Sequence, residues 1–476
     1  MQKKLLAVAV AGALAAPAAA MAQSSVTISG AVNIWYESAG ASGATNTSSG
    51  AFGAPSTFDV KTRDRMQDGN GSNIRFTAVE DIGSGLQGFM QVESAVINNA
   101  NTRNDAAGNA AGNVGVNAQN AGGSTQSAGG WATRNSGVGL RGQAWGEVLI
   151  GVWDIHYNEQ YPADNQIIKG ASHNSVLALM NSFGLAGSAT SAGGVGSVSI
   201  GARYSNVIRY QSPNWSGFNF KVAYARPTDN NVNTTAGSAL EGKKNTVFNV
   251  APQWSNGPIF VGFSYLQDKD FALGTSGLFS GATSVVDSTT GAAVTSGGTA
   301  NRGTVTSSRL SGAYTFPFGL KLGLIYDQSK LKMSSTGATA AVTIPDSEIK
   351  RNVWALPISF NTGAHTIFLV YAQSDKLKGS VGQTNGTSSD LSNIVVTPAG
   401  TGATAVGDVS SNSKAKFYNV GYQFDLSKRT NLHLSYSQIK NDKLAGYDFF
   451  ANGVGMAGGN FGADPRIISL GLRHAF

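Results

Sequence analysis

The 476 residues contain no cysteine. That excludes disulfides, thiolate metal sites and a cysteine nucleophile. Charge is scarce, with Asp, Glu, Lys and Arg together only 13% of the chain. After the first twenty or so residues no apolar run reaches the ~18 residues that a membrane helix needs. The chain is therefore not a helical membrane protein. Length alone would suggest about three soluble domains. The composition argues against that reading, because glycine supplies 61 residues and mean hydropathy is close to neutral. Such a balance is expected where apolar and polar residues alternate around a wet interior.

The two ends of the sequence bracket this reading. Met1-Gln-Lys-Lys is a positive n-region, Leu5 to Ala16 is an apolar h-region, and Ala20-Met21-Ala22 is an A-x-A cleavage site. Residues 1–22 are thus expected to be an export signal, and 23–476 a single barrel domain. At the other end Ile468, Leu470 and Leu472 alternate with small or polar residues, and the strand stops on Phe476. The last strand of an outer-membrane barrel closes onto the first in this way, with its aromatic in an interfacial girdle. Without Lys3 and Lys4 the chain holds 32 basic against 27 acidic residues. An exported chain with scattered charge is a poor nucleic-acid binder.

Period-two runs and turn signals predict sixteen strands. Strand 1 is Val26 to Ser38, with Ile28, Val32, Ile34 and Tyr36 on one face. Strand 2, about Asn73 to Asp81, turns at Glu80-Asp-Ile-Gly-Ser-Gly85 into strand 3. Later hairpins turn at 142–147, 213–217, 255–258, 316–319, 361–364 and 425–430. Seven short turns therefore alternate with eight long, low-complexity stretches, among them 39–70, 98–130, 226–245, 269–305, 330–350, 375–413 and 439–463. The fold class is all-β: a 16-stranded antiparallel transmembrane barrel with short periplasmic turns and long extracellular loops.

Several segments resemble the general trimeric porins of Gram-negative bacteria, in particular those of the beta-proteobacteria. They are Ser25-Val-Thr-Ile-Ser-Gly-Ala-Val32, Glu80-Asp-Ile-Gly-Ser-Gly-Leu86, Gln91-Val-Glu93, the hairpin Asn206 to Phe218, and Leu470-Gly-Leu-Arg-His-Ala-Phe476. Five such segments in order over the whole chain make the resemblance specific. It implies a homotrimer in the cell outer membrane, in contact with lipid and lipopolysaccharide and passing ions and small hydrophilic solutes. It also implies a third loop, here about 154–202, folded inward to narrow the pore. This loop lacks the family's compact acidic segment, but Val176-Leu-Ala-Leu-Met-Asn-Ser-Phe183 is suited to a short helical turn against the wall.

Alternation assigns charges to the interior. A charged side chain at the lipid midplane would cost roughly 2–4 kcal/mol, so mid-strand bases are expected to point at water. Arg75, Arg141, Arg203, Arg209, Lys221, Arg309, Lys321, Arg351 and Arg473 are the predicted basic lining. Asp154, Glu159 and Asp164 are the acids expected to face them from the inward loop. Such an arrangement biases which ions pass, and the basic excess predicts a mild anion preference. A porin biased toward small organic anions or phosphate is the nearest alternative. A barrel hydrolase and an adhesin are alternatives of a different class.

Fourteen aromatics near strand ends, Trp35, Tyr36, Phe263, Tyr314, Tyr326, Tyr371, Tyr436 and Phe476 among them, are expected in interfacial girdles. The five histidines show no zinc-site spacing, and no segment resembles a Ser-His-Asp hydrolase. His433 is expected to be a polar interior residue. No cofactor and no enzymatic activity are expected.

Overall fold

The computed structural model describes residues 25–476 apart from 46, 50–54, 58, 69–71, 97–130, 165–171, 186–198, 228–244, 273–281, 290–300, 336–346, 383–387, 399–407, 451–452 and 457–460. The expected export signal, residues 1–22, lies outside the described residues, as do the low-complexity parts of most long loops.

Sixteen strands form the wall of one closed antiparallel sheet. They are β1 Ser25–Ser42, β2 in two runs (Val60–Asp68 and Asn73–Gly83), β3 Leu86–Ala95, β4 Ser136–Gly142, β5 Gly146–Ile155, β6 Ala202–Gln211, β7 Phe218–Ala225 and β8 Thr246–Asn256. The second half comprises β9 Ile259–Ala272, β10 Asn301–Thr315, β11 Leu320–Ser335, β12 Ser347–Thr362, β13 His365–Ser374, β14 Ala415–Asp425, β15 Thr430–Asn441 and β16 Asp464–Ala475. Closure leaves no edge, as backbone polar groups in a bilayer require.

The seam is β1 against β16, in register from Ala31↔Ala475 to Ser42↔Asp464. Gly30 and Phe476 exchange both backbone hydrogen bonds at 3.1 Å. A Cβ at Gly30 would lie 2.3 Å from the Asn73 carbonyl oxygen and 2.8 Å from the Phe476 ring. Only glycine therefore fits where three strands converge.

The Val60–Asp68 run differs from the expected loop 39–70. Its polar residues give no period-two apolar face, so no strand signal exists in the sequence. It forms by pairing with the far half of β1, from Ile34↔Asp68 to Ala41↔Val60. Where β2 is interrupted, Ser72 stitches the gap: its Oγ accepts from the Asn33 N–H at 2.9 Å and donates to the Asn33 carbonyl at 3.1 Å.

Alternation sorts the wall into two faces. On β16, Ile468, Leu470 and Leu472 are exposed on the outside while Ile467 and Ser469 are buried. Outward Leu310, Leu324, Leu369, Val420 and Leu434 continue a solvent-incompatible belt around the barrel. Trp35 departs from the expected girdle. It is buried inside, its indole N–H 2.5 Å from Glu37, because its neighbour Tyr36 holds the outward position.

The interior is not uniformly wet. Ile325, Val353, Ala355, Val370 and Phe417 point inward but meet a packed core. That core comes from two loops folded into the barrel: Val176–Met180 of the third long loop, and Tyr447, Phe449 and Val454 of the last. Burying each large apolar side chain contributes about 1.5–3 kcal/mol, which holds both loops inside the wall.

Candidate functional site

The third long loop leaves β5 at Ile155 and is fastened to the opposite wall. His156, in a left-handed conformation (φ 72°), places Nδ1 2.8 Å from Ser264 Oγ and Nε2 3.0 Å from Ser307 Oγ. Burial, with Arg309 nearby, holds its pKa well below the ordinary histidine value. A helical turn, α1 (Tyr161–Asp164), packs near β10 and β11. A second, α2 (Leu177–Met180), is wholly buried, as the apolar run 176–183 leads one to expect. Between them His173 Nε2 lies 3.2 Å from Ser435 Oγ and 3.0 Å from Ser469 Oγ, with its ring edge-on to Trp35. Burial lowers the His173 pKa to about 3.

The strongest fastening is ionic. Asp327 on β11 receives Arg309 Nε at 2.9 Å on Oδ2 and Arg351 Nη2 at 3.0 Å on Oδ1. Ser307 and Ser329 hydroxyls complete its coordination at 3.0 and 2.6 Å. The two guanidiniums then reach the loop. Arg309 donates to Gln160 Oε1 at 2.7 Å. Arg351 donates to the Leu179 and Met180 carbonyls at 2.5 and 3.0 Å. Those carbonyls close α2 and have no partner within the helix. Arg351 also lies over the Phe183 ring, 5.3 Å from its centroid.

A second group of charges gathers around Glu93 on β3. Its carboxylate holds Arg75 at 3.0 Å, Arg134 at 2.5 Å and the Asn73 amide at 2.6 Å. Nearby, Asp154 holds Arg203 at 2.9 Å, and Arg203 also donates to Asn135 at 2.9 Å and Tyr157 at 3.3 Å. Arg209 pairs with Glu147 at 2.5 Å and lies over the Trp153 ring, 4.7 Å from its centroid. Lys221 reaches Glu159 of the inward loop at 2.8 Å.

The predicted lining residues therefore fall into distinct surroundings. Arg203, Arg309 and Arg351 are 1–2% exposed, covered by the loop they hold. Arg75 keeps 40% of its side chain exposed and Lys221 24%. Arg141 donates to Gln87 at 2.9 Å and lies over the Phe89 ring, 5.5 Å from its centroid. Lys321 reaches the Pro162 carbonyl of the loop. Asp164 is buried at the end of α1 and accepts from Ser175 at 3.2 Å. Arg473 sits half-buried near the closing end of β16.

Arg203 and Arg209, six residues apart, were expected on one face. The β5–β6 register slips between Gly151 and Trp153, leaving Ser205 and Asn206 opposite Val152 alone. Even spacing does not preserve facing across such a bulge. Arg203 instead aligns with Asp154.

Other charged residues join the site without having been singled out. Glu37 is fully buried and holds Arg65 at 2.6 Å. Arg65 and Arg63 each donate to a carbonyl of the last loop, Gly453 and Val454, at 3.0 Å. Both arginines lie in the run that lacks an apolar face. Glu37 was legible, because strict alternation from Tyr36 turns it inward. Among the described residues no group of three or more His, Asp or Glu could hold a metal ion.

A family model described as "Gram-negative porin" matches residues 7–444. The chain is 25% identical over its whole length to outer membrane porin protein 32 of Delftia acidovorans, with 100% of both chains covered. It is 26% identical to an outer membrane porin of Bordetella pertussis, covering 86% of this chain and 83% of the relative. Among solved structures it is similar to an anion-selective porin from Comamonas acidovorans (TM-score 0.57, 21% identity, 95% and 100% of the two chains covered). It is also similar to the trimer form of OmpT from Vibrio cholerae (TM-score 0.52, 12% identity, 95% and 99% covered).

Proposed function

This chain belongs to the Gram-negative porin family and forms an outer-membrane channel for passive diffusion, and we propose that the channel is mildly anion-selective and works as a homotrimer. Selectivity rests on how the interior charges are paired. Six carboxylates, Glu37, Glu93, Asp154, Glu147, Glu159 and Asp327, engage eight basic residues: Arg65, Arg75, Arg134, Arg203, Arg209, Lys221, Arg309 and Arg351. These acids are neutralised and mostly buried. Arg75 remains substantially exposed, and Arg141 and Arg473 have no ion pair among the described residues. A passing ion therefore meets an excess of positive charge, which favours anions. The half-exposed bases are the groups that set this field.

The homotrimer is supported by the uneven outer surface. On β2 to β5 most outward residues are aliphatic, with Met90, Val138, Leu140 and Ile150 exposed and no outward tyrosine; the aromatics of this sector are Phe76 on β2 and the exposed Trp131 and Trp145 beside the strands. On β7 to β15 the outward face carries Tyr224, Phe263, Tyr314, Tyr326, Phe360, Tyr418 and Tyr436. Aromatic girdles mark contact with the lipid interface. The β2 to β5 sector has fewer outward aromatics, and β4, with 7 residues, is far shorter than β12 with 16. A low, aromatic-poor sector suits contact with other subunits.

Planar-bilayer recording tests both statements. Insertions that close in three equal steps, with a zero-current potential showing chloride preference, are expected. Potassium preference would overturn the selectivity, and single-step closure would overturn the trimer.

A further inference from the structure

The last long loop grips the third at its start, its middle and its end. At the start, the Tyr157 and Phe450 rings meet with centroids 5.9 Å apart. In the middle the link is a relay along β1 and the Val60–Asp68 run. The His173 ring stands edge-on to Trp35, whose indole N–H donates to Glu37. Glu37 holds Arg65 at 2.6 Å, and Arg65 donates to the Gly453 carbonyl at 3.0 Å. At the end, the Gly446 N–H donates to the Gly184 carbonyl at 2.7 Å. Gly184 has φ 65°, and a Cβ there would run into the Tyr447 ring. Only glycine lets the two loops approach this closely.

The last loop is built to keep this shape. Tyr447 is fully buried, and its hydroxyl shares a 2.8 Å hydrogen bond with Ser374 Oγ at the end of β13. Asn441, at the end of β15, accepts from the Tyr447 N–H at 3.2 Å and donates to the Tyr447 carbonyl at 2.9 Å. The next residue organises the fold-back. Asp448 is 4% exposed, and its carboxylate accepts from the N–H groups of Phe449 at 2.7 Å, Val454 at 3.1 Å and Met456 at 3.3 Å. A Cβ on Gly453 would collide with that carboxylate. Charge-assisted bonds of this kind are roughly twice as strong as neutral ones. The turn they hold displays Phe449, Phe450, Val454 and Met456, which share one apolar core with Val176–Met180 of the third loop. Undocking either loop therefore exposes apolar surface on the other.

We infer, on the reading of the chain as a channel, that Tyr447 and Asp448 are positioning residues for its constriction. They act through the third loop, and the two loops hold or release as one unit. The size limit for solutes is a property of the pair.

Hydrogen exchange followed by mass spectrometry, on the folded protein in detergent, tests this. Asp448→Asn leaves one acceptor oxygen where the turn uses two. Third-loop segments 155–164 and 172–185 are expected to exchange about tenfold faster, in step with the last loop. Strands β11 to β13 should exchange as in wild type. Acceleration confined to the last loop would overturn the proposal. Equal acceleration in the strands would overturn it too, by showing general destabilisation. Gly184→Ala should speed third-loop exchange, and adding Tyr447→Ala should make it no faster, because the clash is then gone. Effects that multiply would contradict the contact. If Asp448→Asn does not fold, Tyr447→Phe removes only the hydroxyl on Ser374. It should speed both loops by one common, smaller factor, and acceleration of the last loop alone would count against the interlock. In liposome swelling, Asp448→Asn should admit neutral sugars larger than wild type admits. An unchanged size limit would remove the positioning role. Neither assay reads ion preference or subunit number, so failure here is distinct from failure of the channel reading.

Discussion

Arg351 and Asp327 face each other from adjacent strands, with Nη2 3.0 Å from Oδ1 and neither side chain exposed. The pair is the keystone of a clamp, since Arg351 also grips the end of the third loop while Arg309 takes the other carboxylate oxygen. Breaking one partner of a buried ion pair is costly because the other charge is left behind. Asp327→Asn should therefore destabilise the docked loop by about 3–5 kcal/mol. The thermal transition of the folded protein should fall, and single-channel current should become noisier. Replacing all three residues with apolar ones of similar size should restore much of the stability. A variant with an unchanged transition and quiet current would show that the clamp does not hold the loop.

Glu93 binds both Arg75 and Arg134. Glu93→Gln removes one negative charge and releases the half-exposed Arg75. Chloride preference should rise, while Arg75→Gln should lower it. The zero-current potential in a salt gradient reads both. Opposite signs for the two variants are required, and shifts in the same direction would refute the assignment.

His173 supplies the pH dependence. It lies in the inward loop, and burial depresses its pKa to about 3 from an ordinary 6.5. A depressed folded-state pKa contributes stability that is complete above 6.5 and lost as pH falls toward 3, because the undocked loop binds a proton that the docked one does not. Among the described residues its partners are Trp35, Ser435 and Ser469, with the charges of Arg65 and His433 nearby. Lowering the pH from 7 to 4 should increase current fluctuations from the third loop. His173→Gln should flatten that dependence. An unaltered pH profile in the variant would assign the response elsewhere.

Gly30 tests the seam. A Cβ there would lie closer to the Asn73 carbonyl and the Phe476 ring than van der Waals contact allows. Gly30→Val should sharply reduce the fraction that refolds to the heat-modifiable barrel form, and deletion of Phe476 should do the same by removing both hydrogen bonds to Gly30. Normal refolding of either would show that closure does not depend on this junction.

The wall was legible from the sequence because its outward residues obey period two, as Ile468, Leu470 and Leu472 show. The turns were legible because glycine stands in six of the seven, all but 425–430. Val60–Asp68 was not, since alternation of charge with charge leaves no apolar face, and its pairing with β1 is a long-range fact. Inward parity found Arg309 and Arg351 but not their burial, which comes from a loop 149 and 172 residues away in sequence rather than from the strands themselves. The apolar run 176–183 announced a helical turn against the wall. It could not announce that Ile325, Val353 and Phe417 would be the surface it dries. The extra residue at Ser205–Asn206, which no local pattern reveals, is what sets Arg203 opposite Asp154.

The most direct test of the charge balance is the zero-current potential of the wild-type channel at two ionic strengths. Fixed charges on half-exposed bases act over a screening length of about 10 Å at 0.1 M salt and about 3 Å at 1 M. The account predicts chloride preference at 0.1 M that shrinks toward neutrality at 1 M. Potassium preference at low salt, or a chloride preference that does not change with salt, would contradict it.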